Sequence, residues 1–280
     1  QADWRAAVPY FEAAVKNDNK NAAYLLALAD VYQQLGWSDS TFKVLQLAVQ
    51  LPNVPAKAYG TLAEFYRVQG AEKKALDVYY DCLYEANPNS DNYTTCLYNV
   101  GFFELKANRP QDAELALRTL LSFAPRDYAA IELLVQALVR QEKVKEMNEW
   151  AGKLYYYHRQ DSLPPIMANR FQLDGFKWDT LDVLVYEYFD EPDTGYTKFA
   201  FWVVDDSNTV VRKIHTVLQP NVGGRNAYFL VDVTDPTAKL YTSRTMRKSR
   251  LNYYLLRQWV MDILQDRVQP DAERPRTLFD

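Results

Sequence analysis

Glycine is scarce in this chain, 9 residues in 280, so there is little material for the Gly-rich loops that cradle phosphates. Cysteine is scarcer: Cys82 and Cys96 are the pair. Two cysteines are too few for a disulfide framework or for the usual Cys-rich zinc site. Both fall in stretches of helical period, where cysteine reads as a small core residue. A mutual disulfide is the lesser reading. The histidines are His158 and His215. Neither belongs to a His/Asp/Glu cluster of metal-ligand spacing, and no Ser or Cys stands in a nucleophile-elbow context. No apolar run approaches the roughly 20 residues that span a bilayer. A large excess of one charge is also missing: 32 Lys and Arg against 36 Asp and Glu leave a net charge of -4. That mild acidity gives no electrostatic reason to expect nucleic acid. The chain opens Gln-Ala-Asp-Trp, with neither Met nor a signal peptide, so an upstream segment removed by processing or by design is expected.

What the chain does have is apolar and aromatic material, 48% and 14% of it, the latter including 21 Tyr. That composition belongs to folded proteins. It is arranged with a period. In YGTLAEFYRVQG, Tyr59, Leu62, Ala63 and Tyr66 recur at helical spacing and Gly70 ends the run. In LLALADVYQQLG, Leu28, Ala29, Tyr32 and Gly36 stand thirty-four residues before Leu62, Ala63, Tyr66 and Gly70. Thr41, Leu45 and Ala48 likewise precede Ala75, Tyr79 and Cys82 by thirty-four. The pattern returns as Leu97, Val100 and Gly101, then Ala113, Leu117 and Pro125.

A thirty-four-residue helix–turn–helix period with small and large residues at these places resembles the tetratricopeptide (TPR) repeat. The small positions let paired helices approach closely and the large ones fill the space around them. The repeats read as 22–55, 56–93, 94–127 and a degenerate 128–161, whose framework is Ile131, Leu134, Leu138, Ala151 and Leu154. The interval across Asn87–Tyr93 is stretched to thirty-eight. Ala7, Phe11 and Ala14 match a second helix without a first, a half-repeat that calls for a further covering element.

After Pro164-Pro165 the period changes to alternation. Strands are expected at 170–178, 181–189, 196–205, 209–219, 226–234 and 238–245, and a closing amphipathic helix at 249–268. The short turn-rich connections make neighbouring strands antiparallel. The expected architecture is therefore two domains: an all-α TPR superhelix, or α-solenoid, over 1–161, and an α+β domain over 162–268. An extended tail, 269–280, follows. The second half resembles the small antiparallel-sheet domain appended to some bacterial TPR proteins. That resemblance implies no activity, and a processed start favours a bacterial envelope or periplasm only slightly over the cytoplasm.

Each chemical candidate has a plainer reading beside it. His158 suits a helix C-terminus, and His215 lies mid-strand. Asp190-Glu191 and Asp205-Asp206 read as turn acids rather than an acid/base pair. Asn221–Arg225 (NVGGR) reads as a hairpin loop rather than an anion site. The basic run Ser243–Arg250 is a solvated connection or a contact for an acidic partner. Tyr155, Tyr156 and Tyr157 are expected to pack on the sheet domain, with a ligand-binding cluster as the alternative. Asn92-Tyr93-Thr94 is a glycosylation acceptor only in a glycosylating compartment.

The TPR resemblance implies that first helices line a concave groove. Its groove positions here include Asp30 and Gln33; Lys57, Glu64 and Arg67; Tyr98, Phe102 and Leu105; and Glu132, Gln136 and Arg140. Family members that clamp a C-terminal carboxylate carry Lys and Asn where this chain has Leu26 and Asp30, then Gly60 and Glu64. A carboxylate clamp is not expected. An aromatic centre with a charged rim is suited to a protein or peptide partner. The competing reading is that the chain's own sheet domain or a preceding segment fills the groove. The resulting expectation is a non-enzymatic interaction scaffold without cofactor or metal. The alternative is a small-molecule or hydrolytic site in the sheet domain, with the repeats serving for recruitment.

Overall fold

The computed structural model describes residues 3–88, 90–189, 198–219, 227–234, 239–242 and 253–270. Contacts divide the chain into two compact units, Gln1–Ala137 and Leu138–Asp280. The division falls inside a helix, whereas the change of sequence period suggests a boundary at 161/162. The reason is that the last helix of the fourth repeat makes its aromatic contacts with the strands of the second unit.

The first unit is built from helices alone: α1 (Trp4–Asn17), α2 (Ala22–Gln34), α3 (Ser38–Ala48), α4 (Ala56–Val68), α5 (Glu72–Glu85), α6 (Asp91–Lys106), α7 (Pro110–Phe123) and most of α8 (Tyr128–Arg140). Helices α2 and α3, α4 and α5, and α6 and α7 pair, and each pair touches the next. The framework residues are in the core: Leu28, Ala29, Leu62, Ala63, Ala75, Leu97, Val100, Ala113 and Leu117 are all buried.

The repeat is written in the backbone as well. First helices end on left-handed residues at Gly36, Gly70, Asn108 and Glu142, with φ of 72, 71, 57 and 56°. These positions are spaced 34, 38 and 34 residues apart, which includes the stretched interval expected from the sequence. At each, the next residue's N–H closes back on the helix: Trp37 to the Tyr32 carbonyl (2.9 Å), Ala71 to Tyr66 (2.8 Å), Arg109 to Glu104 (2.8 Å) and Lys143 to Leu138 (3.0 Å). This is a Schellman-type stop, which satisfies carbonyls that the helix end leaves open. Glycine serves best where φ is positive, and the later repeats tolerate Asn and Glu there at some cost.

Close approach is tightest at Gly101, where a Cβ would lie 2.6 Å from Leu117 Cγ. The cysteines correct the sequence reading. Cys82 of α5 and Cys96 of α6 are joined in a disulfide with a Cα–Cα distance of 6.1 Å. Both occupy small, buried positions on helices that pack directly against one another, within the span a disulfide bridges.

In the second unit, α9 (Val144–Arg159) and a single 3-10 turn (Pro165–Met167) lead into a sheet. Its strands are β1 (Arg170–Trp178), β2 (Leu181–Tyr188), β3 (Phe199–Val204), β4 (Val210–Gln219), β5 (Ala227–Asp232) and β6 (Lys239–Thr242). They pair antiparallel in chain order. The described strands are shorter than the expected ones at several ends. The closing helix α10 is described over Tyr253–Leu264, a shorter span than 249–268.

Register places Phe171, Glu187 and Phe199 in one row and Val185, Phe201 and Ile214 in another. Those side chains share a face, since alternate strand residues point the same way. Phe199, Phe201 and Val203 are 4, 0 and 0% exposed, so this face is packed. Tyr155 of α9 meets Phe171 and Phe189 edge-on at 6.2 and 5.2 Å, and Tyr253 of α10 lies 6.2 Å from Phe199.

The register of β1 slips between Gln172 and Asp174. Such a bulge re-aims side chains, and Asp174 is fully buried. Its carboxylate accepts from the Gly175 N–H at 2.8 Å and from the Tyr253 hydroxyl, and faces Arg140 Nε at 3.4 Å and Arg257 Nη1 at 3.5 Å. Arg140 also donates to the Gly175 carbonyl at 2.8 Å. Burial, first of all, and then the carboxylate push the Tyr253 pKa well above its ordinary value, so it stays a donor.

Three predictions concern stability, read as urea unfolding midpoints. Gly101→Ala should destabilise by about 1–3 kcal/mol because the methyl meets Leu117. Gly152→Ala, where a Cβ finds open space on α9, should instead stabilise by roughly 0.5–1 kcal/mol. Asp174→Asn removes the charge that Arg140, Arg257 and Tyr253 converge on at a fully buried position and should cost about 3 kcal/mol or more.

Candidate functional site

The expected groove residues lie on α2, α4, α6 and α8. On α2, Asp30 and Gln33 are exposed; on α4, Lys57, Glu64 and Arg67 are exposed. Glu64 and Arg67, one turn apart, make a forked ion pair at 2.7 and 2.6 Å. That hydrogen bond, with Lys106 nearby, holds the Glu64 carboxyl below its usual range. On α6, Tyr98 and Phe102 are half-buried, and Lys106 Nζ stands 5.0 Å from the Phe102 ring centre. Tyr79 of α5 reaches the same region: its hydroxyl would lie 3.5 Å from a Cβ on Gly60. Burial and then Glu64 raise the Tyr79 pKa, and burial followed by Glu132 and Asp127 raises that of Tyr98. Both therefore stay neutral phenols able to donate.

Three expected groove residues are placed elsewhere. Leu105 and Gln136 are 3 and 5% exposed and present almost no surface. Arg140 binds Asp174 and Gly175 within the second unit. Leu105, near the end of α6, and Gln136, inside α8, both turn into the packing. The signal for Arg140 was invisible, since its carboxylate lies thirty-four residues away at a bulge.

Beside Gln33 and Glu64 an open cleft of about 440 Å³ lies among α2, α3 and α4, lined also by Asp39, Phe42, Phe65 and Val68. Val68 is 73% exposed. Phe42 and Phe65 were missed in the sequence. Their rings pack edge to face at 5.7 Å, on a second helix and a first helix respectively, so only the pairing of helices reveals them together.

The remaining candidates resolve into structural parts. Tyr155 donates to Glu187 at 2.6 Å and packs on the sheet as expected, while Tyr156 is exposed. The His158 ring stacks on Phe189 at 4.7 Å. Glu187, deeply buried, has its pKa raised by desolvation, against the lowering pull of Tyr155 and Lys198. Asp205 is a turn acid, accepting from Ser207 and Thr209 N–H groups at 2.9 Å each. The Asn92 side chain accepts from Ala56 N–H at 3.0 Å, supplying the start of α4 with a cap that Pro55 cannot. Asp190-Glu191, Asn221–Arg225, Ser243–Arg250 and residues 271–280 lie outside the described residues. Among the described residues no group of His, Cys, Asp and Glu could hold a metal, and no helix is long and apolar enough to cross a membrane.

No family model matches the chain, and no curated protein does. Several solved structures are similar to part of it. A MamA protein is 20% identical with a TM-score of 0.46, over 58% of this chain and 90% of that one. YrrB, described as a TPR protein with an unusual peptide-binding site, is 17% identical with a TM-score of 0.42, over 54% and 84%. PilW, a type IV pilus biogenesis factor, is 21% identical with a TM-score of 0.41, over 58% and 72%. Scores at this level do not establish a shared fold by themselves. The chain's own helix pairs and their recurrent stops define its first half as a TPR-type array, followed by an antiparallel sheet with a closing helix.

His215 supplies a pH test. Burial, and then the charges of Lys213 and Arg170, lower its pKa from 6.5 to about 4. The folded value lies below the unfolded one, so the neutral ring's contribution is complete above pH 6.5 and falls away as pH drops through about 4. Between pH 7 and 5 the wild-type urea midpoint should fall further than that of His215→Leu.

Proposed function

We propose that this chain is a non-enzymatic scaffold that binds a peptide or protein partner on the first-helix face of its repeats. The observation that carries the reading is the open cleft at α2, α3 and α4. There Phe42, Phe65 and the exposed Val68 adjoin the polar groove residues Gln33 and Glu64. An exposed apolar patch with a polar rim is what a recognition surface requires. Tyr98, Phe102 and Lys106 continue the same chemistry on α6. Phenols that stay protonated and a cation set over a ring are suited to backbone carbonyls and acidic side chains of an extended segment.

A hydrolytic site in the sheet domain has less support. Phe199, Phe201 and Val203 fill the packed face, and the buried Asp174 and Glu187 are committed to Arg, Tyr and backbone partners.

A displayed peptide library selected on the full chain tests the proposal. Binders should lose about tenfold or more in affinity on Val68→Asp and on Tyr98→Ala with Phe102→Ala. They should be indifferent to Tyr84→Ala, which lies on a second helix and is 88% exposed. Binders sensitive to Tyr84 and not to the groove changes would refute it.

A further inference from the structure

The sheet has a second face. Arg170 pairs across β1 and β2 with Tyr188, and Gln172 with Tyr186; across β3 and β4, Trp202 pairs with Lys213 and Ala200 with His215. Alternation puts these side chains opposite the face that Phe171, Phe201 and Ile214 share.

Their contacts are specific. The Arg170 guanidinium lies 4.5 Å from the Trp202 ring centre, 4.7 Å from Tyr186 and 5.8 Å from Tyr188. Its Nη1 donates to the Tyr188 hydroxyl at 3.3 Å. Lys213 Nζ lies 5.4 Å from Trp202. Two other strand cations have acids: Lys177 pairs with Asp182 at 3.0 Å and Arg212 with Asp232 at 2.7 Å. Among the described residues no carboxylate pairs with Arg170 or Lys213. The two cations are held by aromatic rings, which fix their place without neutralising them.

Among the described residues, two further groups on this face lack hydrogen-bond partners. Trp202 Nε1 and His215 Nε2 are buried and make no hydrogen bond. The lowered His215 pKa agrees with a positive local field, for Lys213 and Arg170 both contribute to it after burial. The face thus offers positive charge and donors on half-buried residues: the Arg170 guanidinium, the Lys213 ammonium and the Tyr188 hydroxyl. What fits must bring negative charge and acceptors. A nucleic acid would need open ring faces on which to stack, and here Arg170 already lies over Tyr186 and Trp202.

We infer that the Arg170–Trp202–Lys213 face of the sheet is a docking surface for an acidic segment of a partner protein. Arg170 takes one carboxylate with its fork, and Lys213 takes another as a point charge. This surface is separate from the repeat groove and does not depend on it.

The test uses the full chain and a fluorescein-labelled oligoglutamate peptide, followed by anisotropy at low salt. The wild type should bind, and salt should weaken binding. Arg170→Ala and Lys213→Gln should each lower affinity about tenfold, with unchanged far-UV circular dichroism. Arg170→Lys, which keeps the charge and loses the fork, should fall between, and this variant carries the test if Arg170→Ala does not fold. Replacing Arg244, Arg247, Lys248 and Arg250 together by Ala should leave peptide affinity within a few-fold, and the Tyr98→Ala, Phe102→Ala groove variant should bind as wild type. Any of four outcomes overturns the inference: no binding by the wild type, equal binding by Arg170→Ala and Lys213→Gln, loss confined to the basic-run variant, or an oligothymidylate that binds at least as tightly as the peptide.

Discussion

The second unit depends on a carboxylate without access to water. Asp174 is 0% exposed, and an isolated charge in that position would unfold the site. Two guanidiniums, a phenol and a backbone N–H converge on it, from the end of α8, from α10 and from β1 itself. Desolvating such a group is expensive, and the cluster offsets that cost only when every member is in place. That makes it a device for position more than for stability. It specifies which turn of α10 meets which residue of β1. An apolar contact of the same area would let the helix slide, and the Phe199–Tyr253 contact alone would not set its register.

The first unit answers a different constraint. Helices can stack at a fixed interval only if each first helix stops at the same place and leaves a small residue at the closest approach. The left-handed stops at Gly36, Gly70, Asn108 and Glu142 meet the first condition. Ala29, Ala63 and Gly101 meet the second, and all are buried. These positions are committed to packing, whereas Lys57, Glu64 and Arg67 on α4 are exposed and their type is not dictated by it.

The two proposed surfaces differ in how charge is handled. In the groove, Glu64 and Arg67 neutralise one another and the aromatic and apolar groups dominate. On the outer face of the sheet, the cations rest on rings and keep their charge. Paired charges chiefly exclude wrong partners, whereas unpaired ones also speed the encounter with a right one.

Periodicity made the repeats legible, because a framework of small and large residues at thirty-four-residue spacing is local information. The strands were legible from alternation, to within a few residues. The expected groove residues on α2 and α4, Asp30, Gln33, Lys57, Glu64 and Arg67, are exposed, as helical period alone suggests. Other features needed the fold. Cys82 and Cys96 looked like independent core residues until adjacent helices brought them together. Phe42 and Phe65 carry no motif, and share a cleft only because α3 and α4 pack. Arg140 looked like a groove cation and is instead a ligand of Asp174, whose inward turn comes from a bulge that alternation cannot show. The sequence by itself determined which residues form helices and strands and how often the pattern repeats, since those depend on neighbours along the chain. Only the tertiary structure decided which charges are paired with acids and which rest on aromatic rings, because that depends on groups that are far apart in sequence and close in space.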